Sequence, residues 1–227
     1  MIPWREELRS MAEPSYAEFA ASLIPGRDDL IGVRIPNIRR LVKRILRDDW
    51  RSVLETEPEC FEEEMLMLLI IATAPMDIEE RIRLESGFLD RIDNWSLCDT
   101  YCGAFTFSED ESERAWEHFS GLMALGTEYS MRVSVVARMN HFTDRDRMES
   151  LMGDIVANHH DGYYYKMGCA WAVATCHTLY PDIGRRLLES EELDIWVHNK
   201  SIQKIRESLR VPAEEKEFVK GLRRRVP

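Results

Sequence analysis

The segment IDNWSLCDTY, residues 92–101, holds the side chains best suited to chemistry. On a helix, Trp95 and Asp99 lie four residues apart and share one face, and so do Cys98 and Cys102. An indole beside a carboxylate suits a positively charged centre, which the acid attracts by Coulomb force and the ring by its quadrupole. Two thiols on adjacent turns suit a metal, but no His and no second Cys pair completes a familiar zinc spacing, so no metal is predicted. Five cysteines is an odd number, and MIPWREELRS does not read as a secretory signal, so no disulfide framework is predicted either. The thiols read as small packing residues. A second indole, Trp171, lies in GYYYKMGCAWAVATCHTLYP among small Ala and Cys neighbours. Two indoles flanking a carboxylate would stabilise a positively charged, oxocarbenium-like centre. Packing into a core accounts for the same residue types, and spacing alone does not bring Trp171 to Trp95.

The elements that must hold these side chains are all helical. Apolar residues recur at three and four positions, with no alternating strand pattern, which predicts helices over about 4–12, 15–23, 36–47, 61–74, 77–91, 95–106, 110–125, 129–141, 144–157, 162–179, 181–189, 199–209 and 213–225. Pro36 and Pro181 suit a first helical turn, Pro25-Gly26 stops the preceding helix, and Asp77, Ser108 and Thr143 are candidate N-caps. Short connections make successive helices antiparallel, and a series of such pairs builds an α-solenoid with a concave face. No exact repeat is visible, so a compact bundle is the alternative. No Gly/Ser linker divides the chain, which predicts one domain over residues 1–227. The longest apolar run, MLMLLIIATA at 65–74, is about half a bilayer span. The chain therefore reads as a cytoplasmic protein without membrane contact.

Charge is unevenly spread. The chain carries −11 overall, yet residues 26–51 carry +4 and residues 199–227 carry +5. Two basic segments on an acidic body could form one positive face for nucleic acid, or simply two solvated helices. In IPGRDDLIGVRIPNIRRLVKRILR, Pro36 opens a helix with an apolar stripe of Ile38, Leu41, Val42 and Ile45. Arg34 precedes it, and Arg39, Arg40, Lys43, Arg44 and Arg47 occupy the remaining circumference. In HNKSIQKIRESLR, Lys200 and Lys204 form a row along the axis, with Arg206 and Arg210 less directly aligned. Such rows can neutralise phosphates.

The run IPG…GVRIPNIRRLVKRI, the W-x-x-x-D of NWSLCD, the YYYKMGCAWAVA segment and the ending HNKSIQKIRESLRVPAEEKEFVKGLRR resemble the DNA alkylation repair proteins of the AlkD-like, HEAT-repeat superfamily. The resemblance implies a HEAT/ARM-like α-α superhelix, a solenoid with a concave positive face that cradles duplex DNA. It implies a DNA glycosylase that hydrolyses the N-glycosidic bond of N3- and N7-alkylated purines without metal or other cofactor, acting as a monomer on alkylated duplex DNA. Carried over residue by residue, Asp99 corresponds to the catalytic carboxylate. Trp95 and Trp171 correspond to the aromatic pair at the deoxyribose, and Arg132 to a residue on the DNA backbone. Lys166, Lys200 and Lys204, with Arg34, Arg39, Arg40 and Lys43, are the further candidate DNA contacts. One departure stands out: where active glycosylases carry an Arg three positions after the second Trp, this chain has Ala174. Two other readings are a DNA-binding protein of the same lineage without chemistry, and a protein-interaction solenoid, which the acidic middle of the chain favours.

Overall fold

The computed structural model describes residues 3–225, and among these there are α-helices, short 3₁₀ turns and no strand. The chain forms two compact units, one ending at Ala115 and the other starting at Trp116.

In the first unit, α1 is Trp4–Ser10, α2 Pro14–Leu23, α3 Ile35–Ile45, α4 Trp50–Leu54, α5 Phe61–Thr73, α6 Ile78–Phe88 and α7 Trp95–Ala104. The helix α5 is central: it packs against α3, α4, α6 and α7, and every residue from Met65 to Ala72 is buried. This explains the long apolar run, which serves a helix surrounded by protein. No helix among the described residues is long and apolar enough to cross a membrane.

Charged side chains tie both ends of this buried helix to its neighbours. At the start of α5, the buried carboxylate of Glu62 accepts hydrogen bonds from the backbone N–H groups of Ile31, Gly32 and Val33 at 3.0, 2.7 and 3.1 Å. The acid also sits in the first turn, where the helix dipole favours negative charge. At the other end, the buried guanidinium of Arg81 in α6 donates to the carbonyls of Ile71 and Ala74. Thr106, just past α7, adds its N–H and its hydroxyl to the Ala72 carbonyl, both at 3.0 Å. The position of α7 is thereby fixed by the end of α5.

The GVRIP stretch is the loop held by Glu62. Gly32 has φ of +85°, and a Cβ there would collide with the Glu13 carbonyl oxygen at the start of α2. Only glycine lets the loop pass this close while its carbonyl accepts from Glu13 N–H at 3.1 Å.

In the second unit, the join falls within α8 (Ser112–Gly121), followed by α9 (Glu128–His141), α10 (Arg145–Ala157), α11 (Tyr163–Leu179), α12 (Pro181–Glu189), α13 (Ile195–Glu207) and α14 (Ala213–Gly221). Here α11 is central, packed against α9, α10, α12 and α13. Its first turn is held by Glu128, whose carboxylate accepts from Tyr164 N–H at 2.6 Å and fills the space that a side chain at Gly162 would take. At its other end, buried His177 lies 3.0 Å from Glu215 of α14, which Arg185 of α12 also grips. Gly184 lets α12 cross there, since a Cβ would overlap His177.

A repeat that no residue pattern reveals emerges from the bonds between helices. Arg27–Glu64, Arg44–Glu7, Arg145–Asp182 and Arg186–Glu149 all join residues 37 apart; Glu128–Tyr164 spans 36 and Arg114–Glu79 spans 35. This is the stride of a helical-hairpin repeat, roughly 34–47 residues. Each unit is therefore built as a stack of antiparallel helix pairs in the manner of an α-solenoid.

Several boundaries differ from the sequence expectation. The helix α4 went unread because it is only five residues long. The cap of α10 is Asp144, whose side chain accepts from Arg147 N–H, rather than Thr143. The helix α13 begins at Ile195, not 199, because Asp194 caps Trp196 and Val197. The helix expected to reach 225 ends at Gly221.

Two outcomes follow. Gly32→Ala forces a left-handed backbone angle and a clash with backbone, and should destabilise the protein by at least about 2 kcal/mol, read as a lowered urea midpoint. The buried rings of His177 and His198 both have depressed pKa values, chiefly because of burial, which outweighs the opposing pull of Glu215 on His177 and of the Leu188 and Asn199 hydrogen bonds on His198. The unfolded chain therefore binds protons more readily, and stability should fall as pH drops below the ordinary His value of 6.5. Thermal unfolding between pH 7.5 and about pH 5 measures that slope; the double variant His177→Gln/His198→Gln should flatten it.

Candidate active site and nucleic-acid interface

The side chain of Asn94 caps α7 by accepting from Leu97 N–H at 3.0 Å, so Trp95 is the first helical residue. One side of α7 is core: Leu97, Cys98, Tyr101 and Cys102 are fully buried. The opposite side carries half-buried Trp95, half-buried Asp99 one turn later, and exposed Gly103 one turn further. Gly103 adds no side chain to this row. The Trp95 ring is held in place, because its Nε1–H donates to the Leu23 carbonyl at the end of α2, at 2.9 Å. Nearby on α2, Phe19 and Leu23 expose large apolar surfaces, 58% and 46% respectively, and no residue of α2 is buried.

The cysteines take no part. All five are free and buried, and burial pushes the Cys102 thiol well above its usual range. Among the described residues, no group of three or more His, Cys, Asp or Glu is arranged to hold a metal ion.

The basic face of α3 divides into engaged and open cations. Arg34 forks onto Glu13 at 2.9 and 3.2 Å and lies over the Tyr16 ring, and the contact with Glu13 raises its pKa. Arg40 donates to Asn37, and Arg44 to Glu7. Arg39 and Lys43 project from the exposed side of the helix. Arg27, which the sequence reading passed over, is gripped by Asp29, Glu64 and Asp93; burial would weaken its charge, but these hydrogen bonds outweigh it and raise its pKa. It locks the loop before α3 to the residue two positions ahead of Trp95.

In the second unit, Trp171 is partly exposed (37%) on the outer side of α11, with Ala170 and Ala172 buried behind it. It lines an open groove of about 630 Å³ together with Ala174, Thr175, Lys204, Leu209 and Arg210. Two of the residues predicted from sequence, Trp171 and Lys204, are thus brought together. Lys200 lies one turn back on α13 and donates to Gln203 at 3.0 Å, and it faces a different hollow with Trp196 and Arg223. Lys166 is largely covered and lies 3.8 Å from Asp161.

Arg132, the candidate contact to the DNA backbone, lies beneath α11. It is only 3% exposed, its guanidinium donates to the Tyr164 carbonyl, and Gly168 leaves room for it beneath α11. In this position it supports the helix that carries Trp171.

A family model described as DNA alkylation repair enzyme matches residues 4–196. The chain belongs to that family. A search among curated proteins gave no significant match. For a member of the DNA alkylation repair family, DNA is the natural partner, and Trp95, Asp99 and Trp171 all fall within the matched span. Lys200, Lys204 and Arg210 fall beyond it.

Trp95→Phe keeps the ring but deletes the bond to Leu23, and should cost about 0.5–1.5 kcal/mol. An unchanged urea midpoint at constant slope would show that the end of α2 does not depend on this bond.

Proposed function

We propose that this member of the DNA alkylation repair family binds duplex DNA and hydrolyses the N-glycosidic bond of N3- and N7-alkylated purines. The observation that carries the reading is the row on α7: a carboxylate and an immobilised indole side by side on the open face of a helix whose other face is core.

The chemistry asks little of the protein. An alkylated purine is already cationic, so when the bond from C1′ to the ring nitrogen breaks, the electron pair neutralises the base and a good leaving group departs. The positive charge passes to the sugar as an oxocarbenium ion. Asp99 stabilises that charge by direct attraction, the Trp95 ring face adds a cation–π contribution, and water adds to C1′ with its proton passing to the carboxylate or to solvent. Trp171 is assigned as a DNA contact of the second unit. Arg39 and Lys43, with Lys204, are assigned to phosphates. Arg34 would join them on exchanging Glu13 for a phosphate oxygen. Buried Arg132 is left out of this set for want of access.

Ala174 favours a second reading, binding without chemistry, because it offers no charge beside Trp171. One assay separates the two. Wild-type protein should release 7-methylguanine or 3-methyladenine from methylated duplex DNA, and Asp99→Asn should slow release by about 100-fold or more while keeping its thermal midpoint. DNA binding with no base release, even at high protein concentration, would leave only the second reading; full activity in Asp99→Asn would remove Asp99 from the mechanism.

A further inference from the structure

Arg34 is a proposed phosphate contact that the protein itself already occupies. It stands at the N-cap of α3, ahead of the open cations Arg39 and Lys43, and its guanidinium is held from two sides. Its Nε lies 2.9 and 3.2 Å from the two carboxylate oxygens of Glu13, its Nη2 lies 2.9 Å from one of them, and the Tyr16 ring centre is 4.5 Å from the guanidinium carbon. A carboxylate on both arms of an Arg fork sits where a phosphate would sit. Nothing in the local fold asks for an acid at position 13. Glu13 is the N-cap residue of α2, yet its side chain makes no capping bond, and glutamate is outside the set of residues that cap well. The start of α2 is joined to the GVRIP loop by backbone instead, through Glu13 N–H and the Gly32 carbonyl at 3.1 Å. The pair spans 21 residues, so it is not one of the 35–37-residue contacts that accompany the stride of the fold. Stability does not account for it either. The Arg34 and Glu13 side chains are 53% and 41% exposed, and an ion pair in that setting contributes little. What the pair does is occupy a cation. Because both partners face water, a phosphate oxygen can reach the fork and displace the carboxylate, while Tyr16 keeps the guanidinium in place.

We propose that Glu13 is a built-in competitor for the DNA phosphate at Arg34, an autoinhibitory contact that lowers the affinity of α3 for duplex DNA until a backbone phosphate takes the carboxylate's place. The proposal rests on the DNA-binding reading and deepens it, naming a residue that sets the strength of that binding. It also separates Arg34 from its neighbours. Arg39 and Lys43 meet any polyanion, whereas only a phosphate that reaches both arms of the Arg34 fork replaces both hydrogen bonds from Glu13. Contacts that fit poorly are therefore the ones Glu13 suppresses most.

The test is a double-mutant cycle on DNA affinity, read by fluorescence anisotropy with the full chain and a fluorescein-labelled duplex. Glu13→Ala should bind the duplex about two- to fivefold more tightly than wild type, the range set by releasing one exposed ion pair. Arg34→Ala should bind more weakly than wild type, and adding Glu13→Ala to it should restore nothing. Glu18→Ala is the control for charge alone. It removes an acid from the exposed side of the same helix, and its gain should be smaller because salt screens an effect that acts only at a distance. Thermal midpoints close to wild type show that each variant is folded. A gain from Glu13→Ala no larger than that from Glu18→Ala would overturn the proposal and leave the proposed function standing. So would a gain that persists in the Arg34→Ala background. Absence of duplex binding by both wild type and Glu13→Ala would overturn both readings.

Discussion

A helix enclosed by protein on all sides is tied to its surroundings through polar groups that find partners inside, and charged side chains make these ties at the centre of both units. At α5 the acid is Glu62, which accepts from the loop N–H groups of residues 31–33, and the base is Arg81, which donates to the carbonyls at the helix end; at α11 Glu128 accepts from Tyr164 N–H in the first turn and Arg132 donates to the Tyr164 carbonyl. Each is buried or covered, and each would be costly there without its partners. Because every partner belongs to a neighbouring loop or helix, satisfying the central helix also fixes its surroundings. Glu62 draws the GVRIP loop onto α5, that loop sets the start of α3, and Thr106 ties the end of α7 to the same core helix. The row of Trp95 and Asp99 is thus presented by an element anchored at its cap, its inner face and its last turn.

The charges of the surface have a similar logic. Five arginines make contacts between elements at separations of 35–37 residues. Exposed pairs of this kind contribute little each to stability, but they recur at the stride of the fold. Arg39 and Lys43 on α3 and Arg210 after α13 are exposed cations outside these contacts. The negative net charge and a DNA-directed function are compatible once charge is counted by location.

Much of the fold was legible in sequence because helix periodicity, proline at first turns and side-chain caps are local signals. Asp77 caps α6 by accepting from Glu80 N–H, and Pro181 opens α12, as the residues suggest. The five-residue α4 and the early start of α13 were not, since one is too short to show a period and the other depends on an Asp two residues from a Trp rather than on an apolar stripe. The repeat was hidden because it lives in bonds between helices, and different residue pairs make it at each step. The candidate site was legible as far as Trp95 and Asp99, whose spacing on one helix is itself a local fact.

Residue type and spacing therefore determined the helical class, the family and the pairing of Trp95 with Asp99 on one face. Which face that is, only tertiary packing decided: α7 turns Cys98, Tyr101 and Cys102 into the core and leaves the acid and indole outside. Packing also set Arg132 under α11 and brought Lys204 and Arg210 beside Trp171, across more than thirty residues of chain. The physical reason is the same in each case. A side chain's periodicity says which neighbours share its stripe, but burial is a property of what the rest of the chain lays against that stripe.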